Sequence, residues 1–336
     1  MASAGRNECA LERPRSALRR IRHCWGLTPG IQADARPVTL GTRDGLAIAA
    51  SYLPGPAVER PPADVAGVVL APGFAGHRTK PAYALLAERL ARHAAVLSLD
   101  LRGHGGSEGR CTLGVDEVHE VGAAAAWLRR SGHGFVAVIG ASMGATAVLR
   151  AAGSRPRGRF DAVCAISAPA TWGPAPTPAA ARLARVTTSA CNRRVIGLVT
   201  HVRIARGVRM PEPVTGILPR WLGPPAPLDL VAAVAPVPLL LVHGIDDAFV
   251  PAQDARMLAS AAGDPCTLWL RPPGFGHAED GFRPDFADRL ASAVVDVRRT
   301  GRWPPDDGSI ADAGGQPLGS HPEDGQGPRG CGDRRA

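Results

Sequence analysis

The chain has 336 residues, 45% of them apolar, and a formal net charge of +9, which is enough length and apolar content to bury a sizeable core in one large domain or two small ones. No run of about eighteen apolar residues occurs, so a membrane-spanning helix is not expected, and no apolar segment of the secretory-signal kind follows the N-terminal arginines. Seven cysteines lie dispersed without a Cys-x-x-Cys pair, a pattern that predicts reduced thiols, no zinc site and a cytoplasmic protein.

The positive charge is almost all arginine, Lys80 being the one lysine, and it is unevenly placed. Residues 1–30 carry a net +4, residues 170–228 a net +7, and the remainder a net −2. Residues 1–30 read as a basic arm. Leu18, Ile21 and Trp25 permit a short amphipathic helix that would touch a membrane surface, although a solvated or core-docked arm is the commoner fate of such a segment.

From Val38 the pattern becomes regular. Val38-Thr39-Leu40 and Leu46-Ala47-Ile48-Ala49 flank the turn residues Asp44-Gly45 and predict a hairpin. The apolar run Gly67–Ala71 predicts a buried strand, and Tyr83, Leu86, Ala87 and Leu90 recur at helical spacing after it. The same alternation continues through a strand at 95–99, a helix bearing Val118, Val121, Ala125 and Leu128, a strand at 135–139 with a helix behind it, and a strand at 162–166, where Cys164 reads as a small core residue. Beyond a Pro-rich and Arg-studded stretch the sheet pattern returns at 238–242, 252–262, 267–270 and 284–298. Continuous apolar strands separated by amphipathic helices imply a mostly parallel sheet covered on both faces. The expected organisation is therefore a core of residues 31–169 and 229–300, a mainly helical cap inserted at 170–228 with a helical region near 178–209, and a disordered Gly/Pro/Asp/Ser tail at 301–336.

The chemistry concentrates at Gly140-Ala141-Ser142-Met143-Gly144, between an apolar strand and the helix-like Ala145–Leu149. A G-x-S-x-G so placed is a nucleophile elbow, a turn tight enough to hold the serine hydroxyl clear of the sheet. In a chain with 40 glycines, chance matches to this pattern are expected at roughly a few tenths per chain. A second match, Gly105-Gly106-Ser107-Glu108-Gly109, does occur, but no helix pattern follows it, so Ser142 is the candidate nucleophile and Ser107 reads as loop. A serine hydroxyl needs an adjacent base, which in this arrangement follows the serine after a carboxylate. Of the histidines beyond Ser142, His201 falls in the cap, His321 in the tail, and His243 at a strand end where it reads as a turn or edge residue. His277 lies in a loop just past the strand ending at Leu270 and is the candidate base, with Asp246 and Asp247 as candidate acids. Met143, directly after the nucleophile, is expected to give one oxyanion-stabilising N–H, and the loop after Ala71 the other.

Two further segments carry a resemblance. His243-Gly244-Ile245-Asp246-Asp247-Ala248-Phe249-Val250-Pro251 matches the His-Gly-x-x-Asp-x-x-Val-Pro segment of the α/β-hydrolase superfamily, and Asp100-Leu101-Arg102-Gly103-His104-Gly105-Gly106-Ser107 resembles the D-x-R-G-x-G-x-S loop of its esterases, lipases and related peptidases. Over residues 38–300 the chain is similar to that superfamily. The resemblance implies an α/β fold with a mostly parallel, doubly wound sheet of the α/β-hydrolase type and an inserted cap. It assigns the acid to Asp247, leaves Asp246 as a turn former, and maps the second oxyanion donor to Phe74, in a loop with Pro72-Gly73 where His-Gly is common. It gives His104 and Ser107 a structural role at the pocket border. A serine-dependent esterase, lipase-like and free of metal or cofactor, is the implied activity, on a small-molecule ester or acyl substrate. Serine at the elbow argues against the dehalogenase and epoxide-hydrolase branches.

Thioesterase, peptidase and acyltransferase chemistry would use the same acyl-enzyme, and a non-catalytic binding protein retaining the fold is the alternative outside enzymology. Arg203, Arg206 and Arg209 recur every three residues in the cap. If helical they would form a basic stripe suited to an anionic substrate or membrane surface, against the ordinary outcome of a solvated face. No nucleic-acid motif or aromatic platform accompanies the basic residues, and the sequence leaves the oligomeric state open.

Overall fold

The computed structural model describes residues 35–154, 159–172, 177–182, 195, 197–198, 200, 202–205 and 224–306. Eight strands form one sheet in the order β1-β2-β4-β3-β5-β6-β7-β8. They are β1 (Arg36–Gly41), β2 (Ala47–Leu53), β3 (Gly67–Ala71), β4 (Ala95–Leu99), β5 (Val136–Ala141), β6 (Ala162–Ile166), β7 (Leu239–Gly244) and β8 (Cys266–Arg271). The expected hairpin is the β1–β2 pair, β2 runs antiparallel to β4, and every other neighbour is parallel.

The central strands read as unbroken apolar runs because both faces are covered. Val68 and Leu70 of β3 point into a layer with α1 (Pro81–Leu90) and α6 (Pro284–Thr300), while Val69 and Ala71 point into a layer with α2 (Val118–Arg130), α3 (Met143–Gly153) and α5 (Ala252–Ala261). A short α4 (Pro227–Leu230) precedes β7. On α6, Phe286, Leu290, Val294 and Val297 recur on one side and are all at most 2% exposed, each burial contributing about 1.5–3 kcal/mol.

This winding positions the site. The helix after β3 lies on one face and the helices after β4 and β5 on the other, so at the β3–β5 junction the connecting loops diverge and leave a crevice outside the strands' carboxyl ends. The register sets Ala71 opposite Gly140 and Ala141 opposite Ile166, bringing the loops after β3, β5 and β6 to one level.

Two expectations are corrected. The tail from Gly301 does not start as a disordered segment: residues 301–306 dock on the core, and Trp303 is 3% exposed. Its indole N–H donates to the Pro238 carbonyl at 3.0 Å, Pro304 accepts from the Trp269 indole at 3.0 Å, and Asp306 pairs with Arg271. Residues 307–336 and the basic arm at 1–30 lie outside the described residues. The helical region expected near 178–209 does not extend through 202–205, where Ile204 forms an isolated parallel bridge with Cys111, and residues 206–209 lie outside the described residues.

Candidate active site

Ser142 stands between β5 and α3 with φ 50° and ψ −112°. A non-glycine residue held there costs about 1–3 kcal/mol and persists only where its surroundings fix it. Its N–H donates to the Ile166 carbonyl at 2.8 Å, and its own carbonyl accepts from Thr146 N–H at 3.0 Å. Close backbone approach explains the glycines on either side. A Cβ on Gly140 would sit 2.3 Å from the Gly144 carbonyl oxygen, and one on Gly144 would sit 2.2 Å from that of Ala71.

The Ser142 Oγ is 2.9 Å from His277 Nε2, and His277 Nδ1 is 2.7 and 2.9 Å from the two Asp247 oxygens. The carboxylate partner places the ring proton on Nδ1, leaving the Nε2 lone pair facing the hydroxyl. Asp247, in the loop after β7, is 8% exposed and also accepts N–H groups from Phe249 at 2.8 Å and Val250 at 2.9 Å. Burial by itself would raise its pKa; hydrogen bonds from His243, His277 and Val250, with the charge of His277, outweigh it and hold the carboxyl well below the usual range. Asp247 therefore stays an anion.

Three more side chains fix this arrangement. His243, read from sequence as a turn or edge residue, is 1% exposed, and its Nε2 lies 2.9 Å from the Val250 carbonyl and 3.4 Å from Asp247 Oδ2. Asp246 accepts the N–H groups of Gly274 at 2.6 Å and Gly276 at 3.0 Å, so it straps the loop that carries His277. Ser167, just past β6, accepts the Ala278 N–H at 2.9 Å; both residues have positive φ, 53° and 48°. Asp246 and Ser167 bind partners 28 to 111 residues away, so only the Asp-Asp doublet hinted at either role, whereas His243 binds Asp247 and Val250, four and seven residues on.

The turn after β3 brings Phe74 alongside the elbow: a Cβ on Gly73 would lie 3.3 Å from Ser142 Cβ. Among the described residues neither the Phe74 N–H nor the Met143 N–H meets a protein acceptor. Met143 is the first residue of α3, where the helix leaves its leading N–H groups unpaired.

Ser107 does sit in a loop, 1% exposed, donating to the Asp100 carbonyl at 2.6 Å and accepting the Ala49 N–H at 2.8 Å. The expected basic stripe fails at Arg203. That residue lies in extended chain beside Ile204, and its guanidinium donates to the Ser107 carbonyl, which ties it to the loop. Arg206 and Arg209 lie outside the described residues. Among the described residues no group of three metal-ligating side chains occurs, and no helix is long and apolar enough to cross a membrane.

A mostly parallel eight-stranded sheet with an elbow after its fifth strand, and loops after the seventh and eighth that meet it, is the α/β-hydrolase fold, which this chain adopts. Within it, residues 62–213 match the family described as serine aminopeptidase, S33. Among solved structures the chain is similar to the Pyrococcus furiosus esterase Pf2001, with 19% identity over 79% of this chain and 90% of that one and a TM-score of 0.57. It is similar also to the esterase domain of a Rhodothermus marinus protein, with 24% identity over 79% and 98% and a TM-score of 0.52. A third similar structure is Est1E of Butyrivibrio proteoclasticus with ferulic acid bound, at 18% identity over 78% and 98% and a TM-score of 0.51. No curated protein matches the sequence.

Proposed function

We propose that the protein is a serine hydrolase of carboxylic esters, with Ser142 as nucleophile, His277 as general base and acid, Asp247 as the orienting carboxylate, and the Phe74 and Met143 amides as oxyanion donors. The observation that carries this reading is the continuous hydrogen-bond chain from Ser142 Oγ through His277 to Asp247, ending at a buried anion. Ser142 Oγ attacks the ester carbonyl as its proton passes to His277 Nε2, and Asp247 stabilises the imidazolium. The oxyanion of the tetrahedral intermediate takes hydrogen bonds from the two unpaired amides, a contribution of about 3–4 kcal/mol for each donor where such donors have been removed. Collapse breaks the C–O bond and the alcohol leaves with the proton from His277. Water, deprotonated by the same nitrogen, then cleaves the acyl-enzyme and restores Ser142.

The similar structures named as esterases favour an ester substrate, whereas the matched aminopeptidase family favours an amide. Initial rates on short-chain and long-chain nitrophenyl esters, acyl thioesters and aminoacyl anilides separate the two. Turnover of esters with a burst of nitrophenol equal to the enzyme concentration is the expected result. Anilide hydrolysis faster than ester hydrolysis would favour the peptidase reading, and no turnover of any class would favour a binding protein that keeps the fold.

A further inference from the structure

We infer that Tyr83 and His104 form a two-sided clamp on the turn after β3 and act as positioning residues for the Phe74 amide. The inference rests on the hydrolase reading and extends it to groups that never touch substrate. Gly73, Phe74, Ala75 and Gly76 form one turn, closed by the Gly76 N–H donating to the Gly73 carbonyl at 2.9 Å. Ala75 holds a φ of 59° in it, a left-handed conformation that is strained for a non-glycine residue. A turn carrying that strain relaxes unless something fixes it.

The fixing groups flank Phe74. The Gly73 N–H donates to the Tyr83 hydroxyl at 2.8 Å, and the Ala75 N–H donates to His104 Nε2 at 3.2 Å. With both neighbours committed, the Phe74 N–H is the turn's unpaired donor, and its direction is set by the peptide planes on either side. Tyr83 comes from α1 and is 1% exposed, its ring meeting Phe282 edge-on at 5.5 Å. Burial, with the Glu279 carboxylate beside it, pushes the phenol pKa well up and keeps the hydroxyl neutral; Glu279 is itself paired with Lys80. His104 comes from the loop after β4 and is 2% exposed. Its Nδ1 lies 3.0 Å from the Arg102 carbonyl and so carries the proton, which leaves Nε2 as the acceptor Ala75 requires. Burial lowers the His104 pKa and favours that neutral form. The Phe74 ring packs edge-on against the same imidazole at 6.0 Å, so one side chain holds both the ring of Phe74 and the amide after it.

The test combines Tyr83→Phe, His104→Leu and His104→Gln in the full chain, the glutamine placing an acceptor near the position of Nε2. Amide hydrogen exchange over residues 72–78 is read beside kcat, KM on a nitrophenyl ester and the inhibition constant of an alkyl boronic acid, whose serine adduct is a tetrahedral anion. Exchange at Gly73 or Ala75 should rise at least about tenfold in the phenylalanine and leucine variants while peptides from β5 and α6 stay protected. In the same variants kcat should fall about 10- to 100-fold, part of the 10²–10³ lost with a whole oxyanion donor. The boronate constant should rise in parallel and KM should hold within about twofold. His104→Gln should recover most of both effects, and the double Tyr83→Phe/His104→Leu variant should fall short of the product of the single losses, since both act on one turn. Unchanged exchange would overturn the clamp. Faster exchange with unaltered kcat would overturn its positioning role. Exchange rising throughout the chain would reduce both residues to core packing. A parent with no turnover would count against the hydrolase reading, while the exchange rates would still decide for or against the clamp.

Discussion

The chain contains the same five-residue pattern twice, around Ser107 and around Ser142, and the two regions differ in everything except sequence. Around Ser107 the hydroxyl is consumed: it is buried, donates to Asp100 and accepts from Ala49, pinning the loop after β4 against β2. Around Ser142 the backbone is strained to φ 50° and takes up the local donors and acceptors itself, through Ile166 and Thr146, which leaves Oγ to His277. The pattern G-x-S-x-G therefore states only that its glycines are crowded, by backbone around Ser142 and by the Asp100 and Leu46 side chains around Ser107. A serine becomes a candidate nucleophile when a strand runs directly into a helix beneath it and no local acceptor claims its proton.

Substitutions can break or sharpen that contrast. The largest effect is expected for Ser142→Ala, a loss of about 10⁵–10⁶ in kcat with the fold intact. Next comes Asp247→Asn, about 10⁴ in kcat through loss of the correct His277 tautomer. Its neighbour Asp246→Asn should cost far less, about tenfold, because it only loosens the strap on Gly274 and Gly276; equal kinetics for the two would reverse the assignment of acid and strap. Ser107→Ala should keep kcat within about twofold and lower unfolding free energy by about 1–3 kcal/mol in urea, the cost of leaving Ala49 N–H and the Asp100 carbonyl unpaired. The smallest effect is in pH dependence. The folded pKa of Asp247 lies below the unfolded value of 3.8, so its stabilisation is complete above that value and is lost as pH falls through the folded one. Urea unfolding between pH 5 and 2 should show a slope that shrinks in Asp247→Asn.

Most of the fold was legible because buried parallel strands announce themselves as continuous apolar runs, as Gly67–Ala71 and Ala162–Ile166 do. The candidate nucleophile and base stood out for a related reason: Ser142 and His277 each sit just past such a run. What escaped was set by the partners that the folded chain supplies. His243 ends a strand, a position that suggests an exposed turn, yet the carboxylate of Asp247 and the carbonyl of Val250 draw its ring inward. Trp303 is an isolated apolar residue in a Gly/Pro/Asp segment, and only the waiting carbonyl of Pro238 and the adjoining core explain its burial. Arg203 belongs to a helical spacing on paper, but its bonds to residues 103, 107 and 111 hold that stretch extended. Asp246 shows the limit most clearly, since a doublet of aspartates cannot say which one faces the histidine and which the glycines.

The most direct test of the central claim is covalent labelling by a fluorophosphonate probe, followed by peptide mapping, in the parent, Ser142→Ala and Ser107→Ala proteins. Labelling on the peptide that contains Ser142, abolished in Ser142→Ala and retained in Ser107→Ala, is the expected result. Labelling that survives Ser142→Ala, or that maps to Ser107, would contradict it.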